Sequence, residues 1–76
     1  MIENIDKACR LVAEALGVSL GEITSKSSIE TIEAWDSLGH MRVVAAVEEI
    51  LQRELEPEKL VAITSVTDIA SLLGSQ

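Results

Sequence analysis

Apolar side chains recur at helical spacing in two long stretches of the chain and one shorter one, and the stretch between the first two breaks that rhythm. Ile5, Ala8, Cys9, Val12, Ala15 and Leu16 repeat at intervals of three and four, which predicts the buried face of a first helix. Asn4 is placed to cap its start and Gly17 to stop it. From Gly17 to Trp35 the period is lost. Ser19, Gly21, Thr24, Ser25, Ser27 and Ser28 dominate there, with Leu20, Ile23, Ile29 and Ile32 at irregular intervals. This reads as a long ordered loop pinned to the core by its aliphatics, and loops of that length are uncommon in compact domains and often functional. Asp36 then offers an N-cap for the strongest helix. Leu38, Met41, Val44, Ala45, Val47, Glu48 and Leu51 form its stripe, and Val43, Ala46 and Ile50 widen it, which predicts a central helix packed on several sides. Pro57 suits the first turn of a short helix carrying Leu60 and Ile63. Ser65 with Asp68 resembles a capping box for a last helix bearing Val66, Ile69, Ala70, Leu72 and Leu73, ended by Gly74. No β alternation and no internal repeat occurs. The expected fold is all-α, a four-helix bundle of three main helices and one short one with a long first loop, forming a single domain over residues 1–76.

Composition narrows what such a bundle can do. At 76 residues the chain buries only about 60–65% of its extended surface, leaving little room for a deep walled cleft, so a self-sufficient enzyme is not expected. Apolar residues make up 47% of the chain and aromatics 1%, so the expected core is aliphatic, with Trp35 as the only ring. Thirteen acids against six bases give a net charge of −7, which repels nucleic-acid phosphates and anionic membranes and favours partners with basic patches. Cys9 is alone, so it forms neither an internal disulfide nor a Cys-based metal site and reads as a small buried side chain. No apolar run approaches the roughly 18–20 residues of a membrane span, and Met1-Ile2-Glu3-Asn4 lacks a leader's basic-then-apolar layout, so the expectation is a cytoplasmic monomer.

The sharpest chemistry lies in Trp35-Asp36-Ser37-Leu38-Gly39-His40-Met41. With Asp36 as the cap, Ser37 falls on the first turn with its hydroxyl toward solvent, where the unpaired N–H groups of a helix N-terminus stabilise a phosphate by roughly 0.3–1 kcal/mol. Three readings compete. Ser37 is a plain polar residue of the first turn; or Asp36, Ser37 and His40 form a compressed hydrolase triad; or Ser37 carries a phosphate-linked group. Against the triad, Trp35 stands where a Gly-x-Ser-x-Gly elbow has its first glycine, and His40 reads as a solvent-side residue near the cap.

Asp36-Ser37-Leu38, followed by an aliphatic helix ending Ala46-Val47-Glu48-Glu49, resembles the acyl carrier protein family. The resemblance covers essentially the whole chain: helix order, the long first loop, Leu55, Ile63-Thr64-Ser65-Val66 and the closing helix follow the family layout. It implies a 4′-phosphopantetheine arm on Ser37, installed by a separate phosphopantetheinyl transferase from coenzyme A, with acyl groups held as thioesters on the arm's thiol. Asp36 then serves as cap and as a docking carboxylate for the transferase. The resemblance also implies that acyl chains shelter between the second and third helices, at positions matching Met41, Val47, Leu60, Ile63 and Ile69. Because Leu60 and Ile69 are bulky, the cavity is expected to be small and suited to short or polar acyl groups.

Partner enzymes that load and process acyl groups are expected to meet the exposed face of the second helix and its approach, where Glu30, Glu33, Glu48 and Glu49 lie, with Glu54, Glu56 and Glu58 following. Three positions depart from the family. Gly39 and Arg42 stand where fatty-acid-synthesis carriers are often acidic, and Trp35 replaces the customary glycine before Asp-Ser-Leu. Arg42 places a positive charge in the expected recognition stripe and points to a specialised carrier. Asp36 before Ser37 favours the acyl over the peptidyl type. The different-class alternative is a small acidic helical interaction module with no prosthetic group.

Overall fold

A computed structural model describes residues 2–74, so Met1, where the leader reading begins, lies outside it. The chain forms α1 (Ile2–Leu16), a 3₁₀ turn (Leu20–Glu22), α2 (Ser37–Leu51), α3 (Pro57–Ala62) and α4 (Val66–Gly74). The four-helix, all-α expectation holds. α1 packs along α4 and α2, and its apolar stripe of Ala8, Leu11, Val12 and Leu16 meets Val43 and Val47 of α2 and Val66, Ile69 and Leu73 of α4 in one core. Each buried Leu, Ile or Val side chain among them contributes about 1.5–3 kcal/mol by leaving water. Among the described residues no helix is long and apolar enough to cross a membrane.

The long loop is ordered, as its aliphatics predict. Ile23 is buried, Val18 and Ile32 pack partly against the core, and hydrogen bonds staple the loop to the joint before α4. Ile29 N–H donates to the Thr64 carbonyl at 2.8 Å, Val66 N–H donates to the Ser27 carbonyl at 3.1 Å, and Ser28 and Ser65 form an isolated antiparallel bridge. Gly17, at φ 72°, makes the left-handed turn that ends α1.

The structure corrects four sequence expectations here. α1 begins at Ile2, so Asn4 is not a cap but a half-buried residue inside the helix. The core is not purely aliphatic, because Trp35, 1% exposed, is its largest fully buried side chain. α2 is buried on one side only, through Gly39, Val43, Val44 and Val47, while Leu38, Met41 and Ile50 stay exposed. α3 stops at Ala62, and Ile63 is its C-cap, turning out of the helix at ψ 97° into the core.

At the start of α4 the predicted cap is present in altered form. Asp68 N–H donates to Ser65 Oγ at 3.2 Å, while the Asp68 carboxylate reaches back to the N–H and hydroxyl of Thr64, at 3.0 and 3.1 Å. Burial alone would push Asp68 up, but the hydrogen bonds from Thr64 and Ser65 outweigh it and hold the carboxyl below its ordinary value.

Candidate functional site

Ser37 is the first residue of α2, and its surroundings follow from how the chain enters that helix. Asp36 is extended (φ −90°, ψ −168°), and its Oδ1 accepts the Gly39 N–H at 2.8 Å while its carbonyl accepts the His40 N–H at 2.7 Å. Asp36 is therefore the N-cap that its side chain predicts. Ser37 is exposed, as is Asp36, and among the described residues its hydroxyl has no hydrogen-bond partner. No acid lies within the first turn of α2.

Before the cap, Trp35 plunges into the core. A buried indole needs an acceptor for its N–H, and Trp35 Nε1 donates to His40 Nδ1 at 3.1 Å. The two rings stack with centroids 6.5 Å apart at 23°. His40 Nε2 lies 2.8 Å from the Leu60 carbonyl oxygen on α3. His40 is thus half-buried and bridging, which corrects its reading as a solvent-side residue. Both ring nitrogens are committed away from Ser37, so His40 has none free to take the Ser37 proton. The compressed triad fails on that geometry.

Gly39 has a packing reason. A Cβ there would strike the Ala34 carbonyl oxygen and come within 2.8 Å of Leu16 Cδ2, so only glycine lets the loop cross this close to α2 and α1.

The docking candidates do not share one stripe. Glu33 lines a shallow depression with Asp36 and Glu22 beside the loop. Arg42 and Glu49 turn to the other flank and line a groove between α1 and α2 together with Lys7 and Arg10. Glu48 is half-buried, and its Oε2 accepts the Leu55 N–H at 2.8 Å, fixing the turn that leads to α3. Of the acyl-site candidates, Val47, Ile63 and Ile69 share the core and Leu60 packs against it from α3, whereas Met41, 61% exposed, stands outside. Met41 instead joins Leu38 as an exposed apolar pair one turn apart beside Ser37, with Val61 exposed on α3.

The role that sequence reasoning missed is the bridging one of His40. The available sign was Trp35: the only ring in a small core demands burial, and His40 is an acceptor five residues on.

The four-helix bundle thus presents an exposed serine on the first turn of a helix capped by Asp36, with both His40 ring nitrogens engaged elsewhere. Comparison with known proteins gives the class its name. A family model for the phosphopantetheine attachment site matches residues 6–73. The chain is also 32% identical over 74 residues to an acyl carrier protein of Prochlorococcus marinus (strain MIT 9515), covering 97% of this chain and 92% of that protein. The chain belongs to the phosphopantetheine-attachment family: it is a non-catalytic carrier whose prosthetic group is a covalently attached 4′-phosphopantetheine. The residues present fit that group, since Ser37 offers an exposed hydroxyl on the first turn of α2.

Proposed function

We propose that Ser37 is the attachment point and that residues 1–76 act as one acyl-carrier unit, serving enzymes of fatty acid synthesis or of a specialised acyl or polyketide pathway. The observation that carries this reading is the exposed Ser37 hydroxyl, without a hydrogen-bond partner among the described residues, on a helix capped by its own neighbour Asp36. The arm supplies the thiol that holds acyl groups as thioesters. The chain's own residues supply the rest: Asp36 holds the first turn rigid, and its exposed carboxylate is available to a transferase. Cys9 does not compete as an acyl-bearing thiol, because burial, with Asp6 adding to it, pushes its pKa up and keeps it protonated.

Val47, Leu60, Ile63 and Ile69 are the residues proposed to shelter a short acyl chain, and Glu33, Glu48 and Glu49 to meet basic patches on partner enzymes. Arg42 is proposed to narrow that choice of partner, because it stands with Lys7 and Arg10 in a groove of a chain that is otherwise acidic. Arg42→Glu is expected to raise turnover with fatty-acid-synthesis enzymes; an unchanged rate would remove Arg42 from partner selection.

The attachment is tested by intact mass after incubation with coenzyme A and a broad-specificity phosphopantetheinyl transferase. The wild-type chain should gain one phosphopantetheine group and Ser37→Ala none. An unchanged wild-type mass, where a control carrier is modified, would favour the interaction-module reading.

A further inference from the structure

α3 is the helix least supported by the rest of the molecule. It has no buried residue, Val61 on it is 77% exposed, and its own backbone bonds are local: Lys59 and Leu60 N–H to the Glu56 carbonyl, Ile63 N–H to the Lys59 carbonyl. Against that background the 2.8 Å contact from His40 Nε2 to the Leu60 carbonyl joins α3 to α2. A carbonyl only accepts, so Nε2 must carry the proton. An indole N–H only donates, so Nδ1, 3.1 Å from Trp35 Nε1, must be bare. Both bonds require the same neutral ring with its proton on Nε2. Trp35 is fixed in the core, Trp35 fixes the ring, and the ring fixes Leu60.

We propose that His40 is a positioning residue that latches α3 onto α2, and that this latch sets how often α3 swings away from the wall beside Ser37. Its bearing on acyl cargo rests on the carrier reading above, because Leu60 is the α3 residue assigned to the acyl site and opening α3 opens that site. Removing one hydrogen bond of this kind shifts a local opening equilibrium by about threefold to tenfold.

The test is backbone amide hydrogen exchange on the unmodified chain, comparing wild type, His40→Ala and His40→Gln. The Gln amide can accept from Trp35 and donate to Leu60, but it does not titrate. His40→Ala should exchange about threefold to tenfold faster at Leu60 and Ile63, with smaller changes at Val12 and Ile69 in the core, and His40→Gln should restore the wild-type pattern. Equal acceleration in every helix, no change in α3, or a His40→Gln pattern matching His40→Ala overturns the latch. If His40→Ala does not fold, the imidazole nitrogen shifts of the wild type decide: the Nε2–H tautomer supports the latch and the Nδ1–H tautomer overturns it. Since no arm is needed, a failed modification at Ser37 leaves this result standing, and a failed latch leaves the carrier reading standing.

Discussion

Helices α3 and α4 follow one another and are both rich in aliphatic residues, yet one is buried and the other is not. α4 places Val66, Ile69, Ala70 and Leu73 at spacings of three, one and three, so all four meet α1 along a single stripe. α3 has six residues, too few for a stripe, and its adjacent Leu60 and Val61 point about 100° apart, so one leans on the core and the other faces water. The same contrast runs along α2, where Val43 and Val47 are buried toward α1 while Leu38 and Met41 are exposed beside Ser37. Stability is concentrated where α1, α2 and α4 meet, and the proposed site sits at the edge that this core holds but does not bury. A carrier gains from that division, because a partner or an acyl chain can disturb the α3 edge without unfolding the rest.

The largest effect should come from the buried side of this comparison. Ile69→Ala opens a cavity in the core and is expected to cost about 2–5 kcal/mol, whereas Val61→Ala should fall within about 0.5 kcal/mol of wild type by denaturant unfolding. Comparable losses would break the division. Next comes Gly39→Glu, which restores the acid often found at this position in the family but drives a side chain into the Ala34 carbonyl and Leu16; a loss of about 1–3 kcal/mol is expected. An unchanged melting temperature would show that close packing does not require glycine at this position.

The smallest effect concerns pH. The folded-state pKa of Asp68 lies below its ordinary 3.8, so its capping of α4 contributes stability that is present above that value and is lost as pH falls through the folded value. Acid unfolding should therefore weaken the α4 joint below about pH 4, and Asp68→Asn should flatten that part of the profile. Identical acid limbs for the two proteins would remove this cap from the account.

How much of this the sequence carried depends on whether the cause was local. The Asp36 cap, the exposed first-turn position of Ser37 and the Ser65–Asp68 pairing were legible because each rests on residues within a few positions of one another, and the ordered loop was legible from its own aliphatics, although its staples to Thr64 and Val66 were not. Asn4 misled because a cap side chain at a plausible place does not say whether the helix continues past it. α2 looked packed on several sides, because an apolar residue does not reveal which neighbours are present to cover it. The packing role of Gly39 and the bridging role of His40 stayed hidden for a related reason. The Ala34 carbonyl and the Leu60 carbonyl that explain them are backbone atoms brought close by the fold, and no side-chain pattern announces them. Glu48 likewise looked like a free surface acid until its partner proved to be the Leu55 N–H.

The most direct test of the central claim is fragment mass spectrometry of the protein recovered from its own cells. One phosphopantetheine group per chain is expected, localised to Ser37, with any acyl thioester on that arm and Cys9 unmodified. Chains that carry no group, or that carry it on another residue, would contradict it.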